Sequence, residues 1–305
     1  MRDTFFYAVN TLDAFLWGPW TMFFIAFVSI FLTFKSRFFQ LSNFSYIISE
    51  TFLKVFQRSE IRKKNTISPF QATSTSLAGT VGMGNMAGVA TALSIGGPGA
   101  IFWMWVLALF GMITKAAEIT LAIHYREVDD NGDIIGGPML YIKKALGWKF
   151  LAILFSLGIT INCIFTSSLL QAHTVGRALD ASYNINPYLT TSLMAFVTMI
   201  VTIGGVKRIG KFCEALIPLM TLLYLVCGLL IFFVNIESVP EVFKQILSYA
   251  FSPAPAVGGF AGASVMMAIQ MGMARGMLSN EAGLGTAPMV HANAETMHPF
   301  QQGLW

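Results

Sequence analysis

The sequence predicts an all-α, polytopic membrane protein, and three observations carry that prediction. Of its 305 residues, 55% are hydrophobic and only 11% charged, where soluble domains carry about 25% charged residues. The apolar residues gather into runs of bilayer length, about 20 residues for a helix. The basic residues alternate between the loops joining those runs, as the inside-positive rule requires.

Seven spans follow, at roughly 17–34, 69–95, 99–123, 150–176, 187–205, 214–234 and 256–285. The N-terminal MRDTFFYAVNTLD contains Asp3 and lacks a small-residue cleavage site, so the first span is expected to act as its own insertion signal. Residues 42–65 are amphipathic and basic, and read equally as an inner-leaflet helix or a solvated linker. Ser68-Pro69 supplies an N-cap and first helical position for span two. Gly96 to Gly99 reads as a tight turn into span three. The polar loop 126–147 reads as a cytoplasmic hairpin, because its DDNGD lacks the glutamate that a calcium loop places at position twelve. Asn186-Pro187 opens span five, and residues 240–251 form a candidate outer surface helix.

Lys35, Arg37, Lys54, Arg58, Arg62, Lys63 and Lys64 lie between spans one and two. Arg126, Lys143, Lys144 and Lys149 lie between spans three and four, and Lys207, Arg208 and Lys211 between five and six. This side is the cytoplasm, so the N-terminus is outside and the chain is a multi-pass protein of the inner (cell) membrane. The net charge of +4 is thereby a topology signal, and nucleic acid is not an expected partner. Cys163, Cys213 and Cys227 lack metal-ligand spacing and read as small buried apolar residues.

Residues 79–99, GTVGMGNMAGVATALSIGGPG, hold seven glycines in an apolar setting. Glycine in a helix costs roughly 1 kcal/mol relative to alanine. Gly82, Gly84 and Ala87 match a dinucleotide-binding pattern, but no strand precedes them. Two readings remain. Small residues such as Gly84 and Gly88 allow close helix packing. Alternatively, the helix breaks near Gly82, with Asn85 capping a second half-helix; a break in a membrane implies a protein-lined cavity. Span seven, with Gln270, Arg275, Ser279, Asn280 and Glu281 among glycines, occupies an inverted position five spans later. Such a pair of interrupted helices points to a secondary transporter's midplane site. Lys115 and Glu118 share one helix face, either as an ion pair near the membrane edge or as part of transport.

GTVGMGNMAGVATALSIGGPGAIFWMW (79–105) and ARGMLSNEAGLGTAPMVHANAETMHPFQQGL (274–304), with KAAEITLAIHYRE and GGPMLYI between them, resemble the alanine/glycine:cation symporter family, the sodium:alanine symporters. The likeness runs from about Ser68 to the last residue. It implies a leucine-transporter-like fold, in which two inverted five-helix repeats follow an extra N-terminal helix. Residues 1–67 would hold that helix and a basic linker, 68–235 the first repeat, and 236–305 an outer loop and the first broken helix of the second.

The resemblance also implies sodium-coupled uptake of a small neutral amino acid, alanine or glycine, by alternating access. Sodium is the coupling ion, and no cofactor or catalytic residue is implied. Carried over by motif, the substrate site comprises Thr80, Val81, Gly82, Met83, Gly84 and Asn85 of span two, Ser168 and Gln171 of span four, and Ala261, Met266, Met267 and Gln270 of span seven. Sodium would lie against the backbone near Thr80, Val81 and Gly84. The chain reads SSLLQAH where the family often has GNMxQAN, so Ser168 and His173 each replace an Asn.

Family members continue for several more helices beyond the position of Trp305. The remaining sodium ligands are therefore expected outside this chain, which reads as truncated in the second repeat, not transport-competent alone, and followed in the genome by about four more spans. An inactive fragment, a structural membrane protein and a channel are the alternatives. A channel would need a continuous polar stripe along several spans, and an enzyme would need paired carboxylates or histidines within them; the sequence has neither.

Overall fold

The computed structural model describes residues 2–16, 18–55, 66–255, 262–296 and 298–305. The described chain is almost entirely helical. Its elements run α1 (Arg2–Leu16), α2 (Pro19–Lys35), the short α3 (Phe39–Ser42), α4 (Phe44–Glu50) and α5 (Phe52–Val55), then α6 (Pro69–Thr80), a π-helical turn at Gly84–Gly88 and α7 (Val89–Gly96). Next come α8 (Gly99–His124), a two-stranded hairpin of β1 (Glu127–Val128) and β2 (Ile134–Ile135), α9 (Pro138–Ala145), α10 (Lys149–Asn162), a π-helical segment Cys163–Leu170 and α11 (Gln171–Tyr183). The rest is α12 (Pro187–Thr202), α13 (Gly205–Val234), α14 (Val239–Tyr249), α15 (Val265–Asn280), α16 (Thr286–His291) and α17 (Pro299–Leu304). Among the described residues, three helical runs are long and apolar enough to cross a membrane: Gly99–His124, Lys149–Tyr183 and Gly205–Val234.

The chain divides into two compact units, each drawn from three stretches. The first comprises Met1–Phe44, Gly84–Thr114 and Ile231–Gly283. Its centre is α15 against α7, and small residues make that approach close. A Cβ on Gly96 would lie 2.8 Å from Met271 Cβ, and one on Gly272 only 2.5 Å from the Ala100 carbonyl oxygen. With Ala268 and Gly276, which are also buried, Gly272 forms a small-residue stripe four residues apart, the pattern that lets membrane helices meet at backbone distance. The turn into α8 is as tight: Gly97 has φ +71°, and a Cβ at Gly99 would strike the Tyr249 carbonyl. Trp103 Nε1 donates to the Ala250 carbonyl at 3.1 Å.

The second unit comprises Ser45–Met83, Lys115–Leu230 and Leu284–Trp305. Its core is tied at the start of α6. Ser68 Oγ accepts from Gln71 N and Gln71 Oε1 from Ser68 N, both at 3.1 Å, a reciprocal cap that fixes the helix start where Ser68-Pro69 predicts it. Just upstream, Ile67 N donates to Asn293 O and Glu295 N to Ile67 O. Arg126 Nη1 donates to the carbonyls of Ala292 and Ala294, each at 2.8 Å. Ile67, Ala72 and Ala294 form the buried cluster beneath this lattice. Gln302 joins α17 to it, 2.8 Å from His291 Nδ1 and 3.4 Å from the Pro69 carbonyl.

Several expectations are corrected. α1 is a helix that no apolar run announces, because its hydrophobic residues (Phe6, Val9, Leu12, Phe15) are dispersed among polar ones. Residues 206–213, expected as loop, are the first turns of α13, and Gly205, expected to end span five, instead begins that helix; Gly205 at φ +68° makes the reversal at once, and Lys207, Arg208 and Lys211 are good helix formers. Span four is α-helical only at its ends. Span seven is an unbroken α15, interrupted before Val265 and after Asn280. Cys163 and Cys227 are exposed and only Cys213 is buried, since the faces of α13 and the run Lys149–Tyr183 are mostly uncovered. Part of the amphipathic stretch 42–65 is helical as α4 and α5, while 56–65 lie outside the described residues. The hairpin in 126–147, the cap at Asn186 and the helix over 240–251 stand as expected.

Two measurements in detergent check this packing. Gly272→Ala should lower thermal stability by about 1–3 kcal/mol, because the obstacle is backbone. Gly158→Ala, with open space around it, should raise it by up to about 1 kcal/mol. Burial, reinforced by Lys115, lowers the His291 pKa from 6.5 to about 3. The unfolded chain therefore binds a proton there that the folded chain refuses, and stability is lost as pH falls from 6.5 towards 3. The melting temperature should drop less between about pH 7 and pH 5 in His291→Gln than in the parent protein; equal slopes would show that His291 titrates normally.

Candidate functional site

The helix that begins at Ser68 stops at Thr80. Val81 is its C-cap, extended at φ −83° and ψ 91°, with its N–H on the Leu77 carbonyl at 2.7 Å. Helical structure resumes around Gly84. The i→i−4 ladder is therefore interrupted at Val81 and Gly82, inside an apolar run. Such an interruption turns carbonyls from one half and N–H groups from the other away from intrahelical partners.

In the second unit, Gln171 fills the space beside this interruption. A Cβ on Gly82 would lie 2.5 Å from Gln171 Oε1, so the amide stands where any other residue at position 82 would place its side chain. The same oxygen accepts from Met83 N at 3.5 Å. Gln171 opens α11 directly after the π-helical segment Cys163–Leu170. One extra residue per turn changes the direction of the side chains that follow it, and π segments recur at functional sites. Ser168 lies within that segment, exposed, its hydroxyl donating at 2.9 Å to Cys163 O of its own helix. Thr80 Oγ1 likewise donates to Ser76 O at 3.0 Å. The structure thus joins Gly82 and Met83 to Gln171, with Ser168 one turn away, while the Ser168 hydroxyl is engaged locally.

In the first unit, the π-helical turn Gly84–Gly88 packs on the C-terminal end of α15. A Cβ on Gly84 would lie 3.1 Å from the Leu278 carbonyl oxygen. Asn85 does not cap the half-helix as expected: the turn begins before it, and its Oδ1 accepts from the Ser279 hydroxyl. α15 then ends in a left-handed Glu281 at φ 54°, with Asn280 Oδ1 accepting from Ala282 N at 2.9 Å. Ser279 as the partner of Asn85 was not assigned from sequence, although the polar Ser279-Asn280-Glu281 among glycines was its signal.

Met266, Met267 and Gln270 sit at the opposite end of α15. Ser264 Oγ caps that end by accepting from Met267 N, and the Met267 carbonyl lies 3.2 Å from the Cβ position of Gly96. Nine to fourteen residues of helix, about 14–21 Å, separate these three from Ser279 and Asn280. The first unit therefore brings Gly84 and Asn85 to the end of α15 and leaves Met266 and Met267 apart from them, 63% and 39% exposed. Ala261 lies outside the described residues.

Comparison with known proteins agrees with these motifs. The family model for the sodium:alanine symporter family matches residues 2–305. The uncharacterized transporter YflA of Bacillus subtilis is 41% identical over 97% of this chain and 62% of its own length. The sodium/alanine symporter AgcS of Methanococcus maripaludis is 40% identical over 97% of this chain and 65% of its own. The probable sodium/glutamine symporter GlnT of Bacillus subtilis is 35% identical over all of this chain and 62% of its own. The chain spans a little under two thirds of the length of these relatives. Its interrupted second span, its glycine-rich seventh and this match over nearly every residue lead to one conclusion: the chain belongs to the sodium:alanine symporter family.

Proposed function

We propose that this chain forms part of a sodium-coupled symporter for a small neutral amino acid, alanine or glycine, in the cell membrane. The observation that carries the proposal is the interruption at Val81–Gly82 with Gln171 against it. A zwitterion needs donors for its carboxylate and acceptors for its ammonium. A split helix offers both from backbone alone: N–H groups at the start of one half and carbonyls at the end of the other. Sodium, a hard cation, would take carbonyl oxygens near Thr80, Val81 and Gly84. The Gln171 amide, with one acceptor and two donors, would orient the substrate. The fold proposed is the leucine-transporter-like pair of inverted repeats, with transport by alternating access; the family is one of transporters, and no enzymatic step is proposed. Relatives are named for alanine and, as a probable assignment, for glutamine, and Ser168 and His173 are where this chain departs from the family motif.

Uptake of labelled alanine by proteoliposomes holding the protein as the cell makes it tests the reading. Uptake should require an inward sodium gradient, and uptake indifferent to sodium removal would sink the coupling assignment. Gly82→Leu should abolish uptake while membrane insertion persists. Gly82→Ala should destabilise the protein by colliding with Gln171, and much of that cost should vanish in a Gln171→Ala background. A coupling of about 0.5–3 kcal/mol between the two positions is expected in the double-mutant cycle; strict additivity would show that Gln171 does not occupy the space beside Gly82.

A further inference from the structure

A groove with an unusual lining lies at the Ile203–Gly204 turn that joins α12 to α13. From α12 come Val197, Ile200 and Val201; from α13 come Arg208, Lys211 and Phe212. Each trio is spaced i, i+3, i+4, so each is one face of its helix. The groove has a volume of about 450 Å³, within the range of ligand pockets, roughly 300–1,000 Å³. Its walls are apolar and its mouth holds two cations.

Neither cation forms an ion pair among the described residues. The ion pairs among the described residues are Lys54–Glu50, Lys144–Glu127 and Lys244–Glu241. The nearest acid in sequence, Glu214, is engaged elsewhere, accepting from Gln71 Nε2 at 2.8 Å. The Arg208 stem runs over Gly204. A Cβ on Gly204 would lie 2.1 Å from Arg208 Cδ and 2.6 Å from its Cβ, so the arginine stem crosses the bare backbone of the turn. Beyond the groove, α13 continues as an exposed apolar surface through Leu219, Leu222, Leu223, Leu229 and Leu230. The groove sits at the C-terminal end of α12 beside Lys207, Arg208 and Lys211, basic residues that the inside-positive rule assigns to the cytoplasmic membrane surface.

We infer that this groove binds an anionic phospholipid of the cytoplasmic leaflet, with the phosphate between Arg208 and Lys211 and an acyl chain along Val197, Ile200, Val201 and Phe212. The inference rests on the inside-positive orientation and is independent of which solute the protein carries. Two cations outside any ion pair among the described residues select an anionic headgroup over a zwitterionic one. The apolar floor, continuous with the outer face of α13, selects a lipid over a soluble anion. Basic pockets between helices on the cytoplasmic side are a recognised lipid-binding arrangement.

The test is native mass spectrometry of the purified protein released from nanodiscs of equal parts phosphatidylglycerol and phosphatidylcholine. One phosphatidylglycerol should be retained in about thirtyfold preference, at roughly fivefold per basic side chain near the surface. Arg208→Gln with Lys211→Gln should bring the two lipids to parity. Ile200→Trp should reduce phosphatidylglycerol retention although both cations remain. Lys143→Gln with Lys144→Gln, basic residues elsewhere on the same side, should leave it unchanged. Variants are compared only if they elute as the parent does; Lys211→Gln and Val197→Trp replace any that do not. Equal retention of both lipids by the parent would overturn the proposal. So would retention unaffected by filling the groove, which means diffuse surface charge, or displacement by glycerol 3-phosphate, which means a soluble-anion site.

Discussion

An apolar helix that opens must give its peptide groups new partners, because lipid supplies none and each unsatisfied group costs several kcal/mol. The interruption at Val81–Gly82 meets that demand in three ways. Val81 keeps its N–H on the Leu77 carbonyl. Gln171 brings an amide to Gly82 and Met83. Past the interruption the chain takes a π-helical turn before regular helix resumes at Val89. Each device uses a residue that an uninterrupted helix would not require: a glycine without a side chain, a glutamine in an apolar run, and a widened turn. The same logic explains why span four is irregular, since its π-helical segment ends where Gln171 begins.

The glycines of these helices therefore serve separate ends. Gly82 makes room for a polar side chain. Gly84, Gly96, Gly272 and Gly276 make room for other helices, with the nearest neighbour 2.5 to 3.1 Å from the position a Cβ would take. Gly79 and Gly88 face open space, and packing offers no account of them. Packing and breaking were opposed readings of one glycine-rich string, and both hold at different residues within it. The string cannot be read as a single motif with a single purpose.

Much of this was legible in the chain. Ser68-Pro69 and Asn186-Pro187 state their caps outright, because a short polar side chain before a proline satisfies a helix start by itself. The spans at α2, α8, α12 and α13 follow from hydropathy alone. What escaped has a physical reason in each case. α1 mixes polar and apolar residues, so no run marks it. The first turns of α13 carry three basic residues, and charge density reads as loop although lysine and arginine favour helix. Asn85 was read as a cap from its local chemistry, but Ser279, 194 residues away, claims its side chain. The motif placed Met266 and Met267 in the same list as Gly84, yet within the first unit they lie at the far end of α15. Sequence order lists residues; only packing decides which of them meet.

The charged residues that interrupt apolar helices obey the same accounting as the opened backbone. Lys115 and Glu118 sit in the last turns of α8, and the polar elements of the second unit gather around that end. The charge of Lys115 is felt by His291 and that of Glu118 by Tyr141. Beyond the helix, Arg126 is half-desolvated and spends its guanidinium on two backbone carbonyls, with Glu295 close enough to favour its charge. Because Lys115 already supplies a cation there, a second on His291 would be both desolvated and repelled. The ring stays neutral and is free to accept from Gln302, which in turn reaches the Pro69 carbonyl at the first turn of α6. Burial first, and the half-buried Lys115 of α8 second, keep this histidine neutral, and its ring is linked through Gln302 to the first turn of α6, the helix whose far end opens at Val81.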